Sequence, residues 1–157
     1  MAIAPFRHSH RVTYADCTLG NHVYYARYLD FLEATRGAFF RELGTSFAEW
    51  QQRELIFPVV ECHLRYLSPV RYDEVIDIEI WPTALQRVRL NFGYRITAAA
   101  GRLILEAETW HVCAGLNDRL KRLPAELVAP LSPRLQPTVT SNLISTKNPL
   151  GIVPRVS

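Results

Sequence analysis

From Tyr25 to Leu43 the larger apolar side chains recur at positions 25, 28, 29, 32, 39, 40 and 43, with Arg36 on the same stripe. That three-and-four spacing predicts an amphipathic helix, and Gly44 supplies its stop. Phe31 and Ala34 lie off the stripe, so the helix is expected to be covered on more than one side. After a short stretch at 46–52, expected to be helical, the period changes to two. Ile56, Pro58, Val60, Cys62, Leu64 and Tyr66 alternate with Glu61, His63 and Arg65, and SPVRYDE forms the turn. Ile76, Ile78 and Ile80 alternate with Val75, Asp77, Glu79 and Trp81, a strand expected to end at Pro82. Val88, Leu90, Phe92, Tyr94 and Ile96 then alternate with residues that include Arg87, Arg89 and Arg95, and Ala100–Gly101 makes the hairpin into a strand over 102–114. A short strand over Arg7–Ala15 opens the chain, and a short helix begins at Pro124.

Strand, long helix, then four strands joined by short connections call for an antiparallel sheet packed on one helix, an α+β class. The hotdog fold, a sheet curled around a single long helix, suits this order. With 157 residues, the chain has room for one ordinary domain, placed here at residues 1–131. Residues 132–157 hold four prolines and no period, and are read as an extension lying on its own or a neighbouring subunit, with Leu143, Ile144, Leu150, Ile152 and Val153 as its anchors.

The composition, 48% hydrophobic and 21% charged, is that of a folded chain, and a net charge of +3 is too slight to argue for nucleic acid. All its cations but Lys121 and Lys147 are arginines, which suit carboxylates and phosphates. No apolar run reaches the ~18 residues of a membrane helix, and the first residues lack a signal peptide's apolar core, so a cytoplasmic protein is expected. Cys17, Cys62 and Cys113 are odd in number and widely spaced, which predicts three reduced thiols. His63 and His111 stand as isolated imidazoles on strands, so no metal site is expected.

The chemistry concentrates in VTYADCTLGNHVYYARYLDFLEATR, residues 12–36. It sets Asp16, His22 and Asn21 at a strand-to-helix junction, where unpaired N–H groups and a partial positive charge can hold an oxyanion. This stretch resembles the 4-hydroxybenzoyl-CoA thioesterase-like branch of hotdog acyl-CoA thioesterases, in which a strand ending in D-x-D runs through a loop into HVNNARYLEFLEEAR. The resemblance continues through IFPVVECHLRYLSPVRYDEVIDIEI and LILEAETWHVC, and covers about residues 7–131. It implies a thioester hydrolase without metal or redox cofactor.

One position departs from the pattern. The family's acidic catalytic residue is the second Asp of the pair, and Thr18 stands there, while Asp16 matches the first. A threonine hydroxyl is no general base near neutral pH. The candidates for its replacement are Asp16, displaced ~6.6 Å along an extended chain, and His22 or Glu33 acting through Thr18. Each has a structural alternative: Asp16 capping a turn, His22 bonding the loop, and Glu33 pairing with Arg36 at i+3. Substrate contacts are assigned to Asn21, Val23, Tyr24, Tyr25 and Tyr28, the oxyanion to backbone N–H near Tyr24 and Tyr25, and the CoA phosphates to Arg87 and Arg89. Arg87, Arg89 and Arg95 could equally form a solvated face.

Three functions follow: hydrolysis of a fatty or aromatic acyl-CoA, non-hydrolytic acyl-thioester binding motivated by Thr18, or a structural module. The expected assembly is a homodimer or homotetramer, because a curled sheet leaves strand edges to be paired.

Overall fold

The computed structural model describes residues 3–139. The five extension anchors from Leu143 onward lie outside the described residues. The chain runs β1 (Phe6–Arg11), α1 (Arg27–Glu42), α2 (Phe47–Gln52), β2 (Leu55–Ile56), β3 (Val59–Tyr66), β4 (Val75–Gln86), β5 (Arg89–Thr97), β6 (Leu103–Val112), β7 (Ala114–Gly115) and α3 (Ala125–Leu131). Five strands form one sheet in the order β1-β4-β5-β6-β3, each pair antiparallel. β2 and β7 make a separate two-stranded ribbon.

Strand alternation divides the sheet into two faces. Ile76, Ile78 and Ile80 of β4, Leu90, Phe92, Tyr94 and Ile96 of β5, and Leu105, Ala107, Thr109 and His111 of β6 are buried on the inner face. α1 lies against them, burying Tyr28, Phe31, Leu32, Thr35, Phe39 and Phe40. Burial of each large apolar side chain contributes ~1.5–3 kcal/mol, so this one helix face supplies much of the core. The Thr35 hydroxyl donates to the Phe31 carbonyl at 2.8 Å, which lets a polar residue sit in that face.

Several expectations change in detail. The helix begins at Arg27, two residues after Tyr25, and its buried face is rotated toward Phe31 and Thr35, leaving Leu29 exposed. β1 stops at Arg11, and Tyr14–Asp16 forms a short 3-10 turn where a strand was expected to Ala15. β4 runs through Pro82 to Gln86. Proline is tolerated there because β1 begins only at Phe6, opposite Ile80, and so leaves Pro82 no partner on that side, a register shift follows between Pro82 and Ala84, and the Pro82 carbonyl accepts the Gln136 N–H. The 56–66 segment divides into β2 and β3, and β3 buries neither face: Val59, Val60, Cys62 and Tyr66 are all exposed. Only β6 flanks it, so its other edge carries no strand among the described residues.

On the outer face, Glu79, Arg95 and Glu106 lie across from one another on β4, β5 and β6. The next rung is Trp81, Gly93 and Glu108. Residues 132–139 lie over it: the Trp81 indole donates to the Pro137 carbonyl at 3.1 Å, and the Thr138 hydroxyl to a Glu108 carboxylate oxygen at 2.9 Å. At the same edge the Gln136 amide donates to the Ile3 carbonyl.

Candidate active site

The loop between β1 and α1 holds its shape through Asp16. The buried carboxylate oxygen Oδ2 accepts the Thr13 N–H at 2.8 Å and the Thr13 hydroxyl at 3.1 Å, and lies 2.8 Å from His10 Nε2. Burial, the largest influence, would raise its pKa; the Thr13 N–H, His10 and the Thr13 hydroxyl together outweigh it and hold the carboxyl below its ordinary value. The Asp16 carbonyl accepts the Tyr24 N–H at 2.8 Å, which ties the turn to the start of α1. Asn21, with φ at +60°, accepts the Tyr72 N–H on its side-chain oxygen and anchors the loop to the β3–β4 turn.

Against this frame an open cleft of about 510 Å³ is lined by Cys17, Thr18, Tyr24, Ala26, Arg27 and Asp30, with Ala15 at its edge. Thr18 is in the wall, its hydroxyl within 3.2 Å of the Leu19 carbonyl and 3.4 Å of the His22 carbonyl. Asp16 is not in the wall, because its side chain faces His10 and Thr13. His22 is exposed and outside the cleft, contributing its carbonyl to the Thr18 N–H. Glu33 is exposed and makes no ion pair with Arg36, which donates instead to the Tyr94 hydroxyl at 3.0 Å, so the expected i+3 pair is absent. The Tyr24 N–H is already bonded and unavailable to an oxyanion. The Tyr25 and Ala26 N–H groups have no acceptor among the described residues, and Ala26 borders the cleft.

Asp30 was not among the sequence candidates, yet it is the one carboxylate on this wall, held by Arg27 at 2.8 Å. Its signal lay in the helical period: it stands one turn beyond Arg27, at the i+3 spacing that lets the two side chains pair.

Val23, Tyr25 and Tyr28 border a second hollow together with Tyr66. Tyr28 is buried, and burial, with Tyr66 beside it, pushes its phenol up to about 12; it is a wall, not an acid. The Tyr66 hydroxyl donates to the Tyr25 carbonyl, which places the start of α1 over that end of β3. Arg89 pairs with Val112, whose N–H reaches the Pro58 carbonyl at the opposite end of β3. Val59 and Tyr66 are seven residues apart, ~23 Å along a strand, so one chain does not bring Arg87 and Arg89 to its own Thr18 cleft. No group of three or more potential metal ligands occurs among the described residues.

The thioesterase-like superfamily model matches residues 12–136. The acyl-CoA thioester hydrolase YbgC of Escherichia coli is 32% identical over 125 residues, spanning 79% of this chain and 93% of the relative. A probable thioesterase from Bartonella henselae superposes with a TM-score of 0.72 at 26% identity, covering 77% of this chain and 100% of that one. A Staphylococcus aureus protein solved in complex with CoA shares the fold, with a TM-score of 0.80 at 20% identity over 100% of this chain and 98% of that one. By fold and by sequence, this hotdog chain belongs to the thioesterase-like superfamily.

Proposed function

We propose that the Thr18 cleft is where an acyl-CoA is hydrolysed and that Asp30 supplies its base. The chain is an acyl-CoA thioesterase by family. The observation that carries the site is the joining, in one cleft, of a carboxylate at Asp30 with a helix start whose N–H groups lack acceptors. The thioester oxygen lies toward the Ala26 and Tyr25 N–H groups, where the α1 dipole stabilises its developing charge. A water gives its proton to Asp30 and its oxygen to the carbonyl carbon. The C–S bond then breaks, and the CoA thiolate leaves and takes up a proton, yielding free acid and CoA. The Thr18 hydroxyl, donating to backbone carbonyls, accepts a hydrogen bond from that water.

The assembly is a homo-oligomer. The exposed faces of Val59, Val60 and Tyr66 and the unpaired edge of β3 support pairing of β3 with its copy in a second subunit. Antiparallel pairing carries Arg87 and Arg89 toward the partner's cleft, where they meet CoA phosphates. We place the protein in the cytoplasm, a reading supported by three free cysteines. Among the described residues no helix is long and apolar enough to cross a membrane.

A second reading, non-hydrolytic binding of acyl thioesters, is favoured by one observation, the threonine at position 18. A panel of aliphatic and aromatic acyl-CoAs incubated with pure protein and a thiol reporter separates the two. Thiol release at an enzyme-dependent rate is expected, and none with any substrate, together with tight binding of a CoA thioether, establishes the binding protein instead.

A further inference from the structure

A second cleft, of about 410 Å³, opens one to two turns further along α1, between that helix and the 55–59 segment. Phe47, Leu55, Phe57 and Val59 give it apolar walls, with Glu33 at its exposed rim and the part-buried Arg36 as its one cation. Arg36 makes no ion pair among the described residues, and its one hydrogen bond there goes to Tyr94. A guanidinium carries five N–H donors, so most of its capacity is unspent beside an apolar hollow. A ligand entering this cleft would therefore meet donors that no acceptor among the described residues occupies.

The bond to Tyr94 has a fixed direction, and a chain of buried groups behind it sets that direction. His111 Nδ1 lies 3.0 Å from the Phe57 carbonyl, which can only accept, so Nδ1 carries a proton. Burial first, and the Arg36 cation second, hold the His111 pKa at about 4, so the ring is neutral and Nε2 is an acceptor. The Thr109 hydroxyl, 2.8 Å away, therefore donates to Nε2 and accepts the Tyr94 O–H at 2.9 Å. The Tyr94 oxygen is thus left as an acceptor for Arg36. Tyr94, Thr109 and His111 are buried side chains on β5 and β6, so the guanidinium is moored to rigid elements.

Asp30 and Arg36 are six residues apart on the helix, ~9 Å along its axis and about 120° apart around it, with Glu33 between them on the same i+3 row, so a group reaching from one to the other is a medium-length chain that follows that row past the helix. Building on the acyl-CoA reading above, we infer that Arg36 is a specificity residue that reads the far end of the acyl group, favouring acyl-CoAs that end in a carboxylate over plain hydrocarbon chains. A carboxylate presents two coplanar oxygens to the guanidinium fork, and the apolar walls around it strengthen the pair. Tyr94 is a positioning residue that holds the fork in place.

The test uses two thioethers that cannot be hydrolysed, S-octyl-CoA and S-(7-carboxyheptyl)-CoA, titrated by calorimetry into the full chain. The wild type is expected to bind the carboxylate form at least ~10-fold more tightly, the scale of one charge-assisted contact. Arg36→Met should abolish that preference, and Arg36→Lys, which keeps the charge but loses the fork, should lose most of it. Tyr94→Phe should weaken the preference without removing it, and together with the wild-type ratio it decides the matter if the Arg36 variants do not fold. Equal affinities in the wild type, or an unchanged preference in Arg36→Met, overturn the inference. A protein that hydrolyses acyl-CoAs yet shows no carboxylate preference refutes the role of Arg36 alone. Failure to bind either thioether, with no hydrolysis in the acyl-CoA panel, refutes the acyl-CoA reading and this inference with it.

Discussion

His10 Nε2 and Asp16 Oδ2 meet at 2.8 Å behind the loop that carries Thr18, and the His10 ring rests on Phe31 of α1 with centroids 4.5 Å apart. The carboxylate thus joins β1, the 3-10 turn and the helix, and its backbone carbonyl holds the Tyr24 N–H. Asp16→Asn keeps the shape but loses the charge, and should cost ~1–2 kcal/mol, read as a lowered urea midpoint with an unchanged slope. A folded pKa below the ordinary 3.8 makes this contribution fully present above that pH and fading as pH falls through the folded value. If the Asp16→Asn variant were as stable as the wild type at neutral pH, the carboxylate would not be what holds the loop.

Asp30→Asn should lower kcat by at least ~100-fold with little change in the affinity for a CoA thioether, since a positioned base acts on the chemical step. Thr18→Ala should be milder, and Thr18→Asp, which restores the family carboxylate in the same wall, should raise turnover. Steady-state kinetics decides among these, and full activity in the Asp30→Asn variant would remove Asp30 from the mechanism.

Stability should fall on mild acidification through His111. Its folded pKa of about 4 lies below the ordinary 6.5, so the unfolded chain takes up the proton first. The stabilisation is present above pH 6.5 and is lost progressively down to about 4, amounting to up to ~3 kcal/mol. Denaturant melts across that window should show the loss, and His111→Gln should flatten that part of the profile.

Gly93→Ala should destabilise the sheet by ~1–3 kcal/mol, because a Cβ there would stand 2.8 Å from Trp81 Cε2 and 3.0 Å from Thr83 Cγ2. Thermal unfolding of the variant checks this, with Gly20→Ala as the contrast: no atom crowds that site, and only its φ of +89° opposes a side chain.

The sheet and its helix were legible because their periods are long and unbroken. Ile76, Ile78 and Ile80, and the run from Leu90 to Ile96, alternate as they do because one face meets α1. β3 misled for a physical reason: Val60, Cys62 and Tyr66 alternate like a core face, but among the described residues only its Tyr66 end is met by α1, and all three side chains stay exposed. Pro82 read as a terminator because the missing strand beside it and the Gln136 contact are tertiary facts. In the site, the motif pointed to the correct loop and helix start, but Asp16 and Thr18, two residues apart, face different surroundings once the 3-10 turn intervenes. Asp30 reaches the same cleft only because α1 turns it there.

The strap over Trp81 and the segment before β1 meet at one seam through Gln136 and Ile3. Strand β1 and residues 132–139 therefore share their protection: if either lifts, it bares the indole, the Glu108 carboxylate and the β4 edge together. That corner should open as a single cooperative unit, its amides exchanging with deuterium at one common rate, earlier than those of β5 at the centre of the sheet.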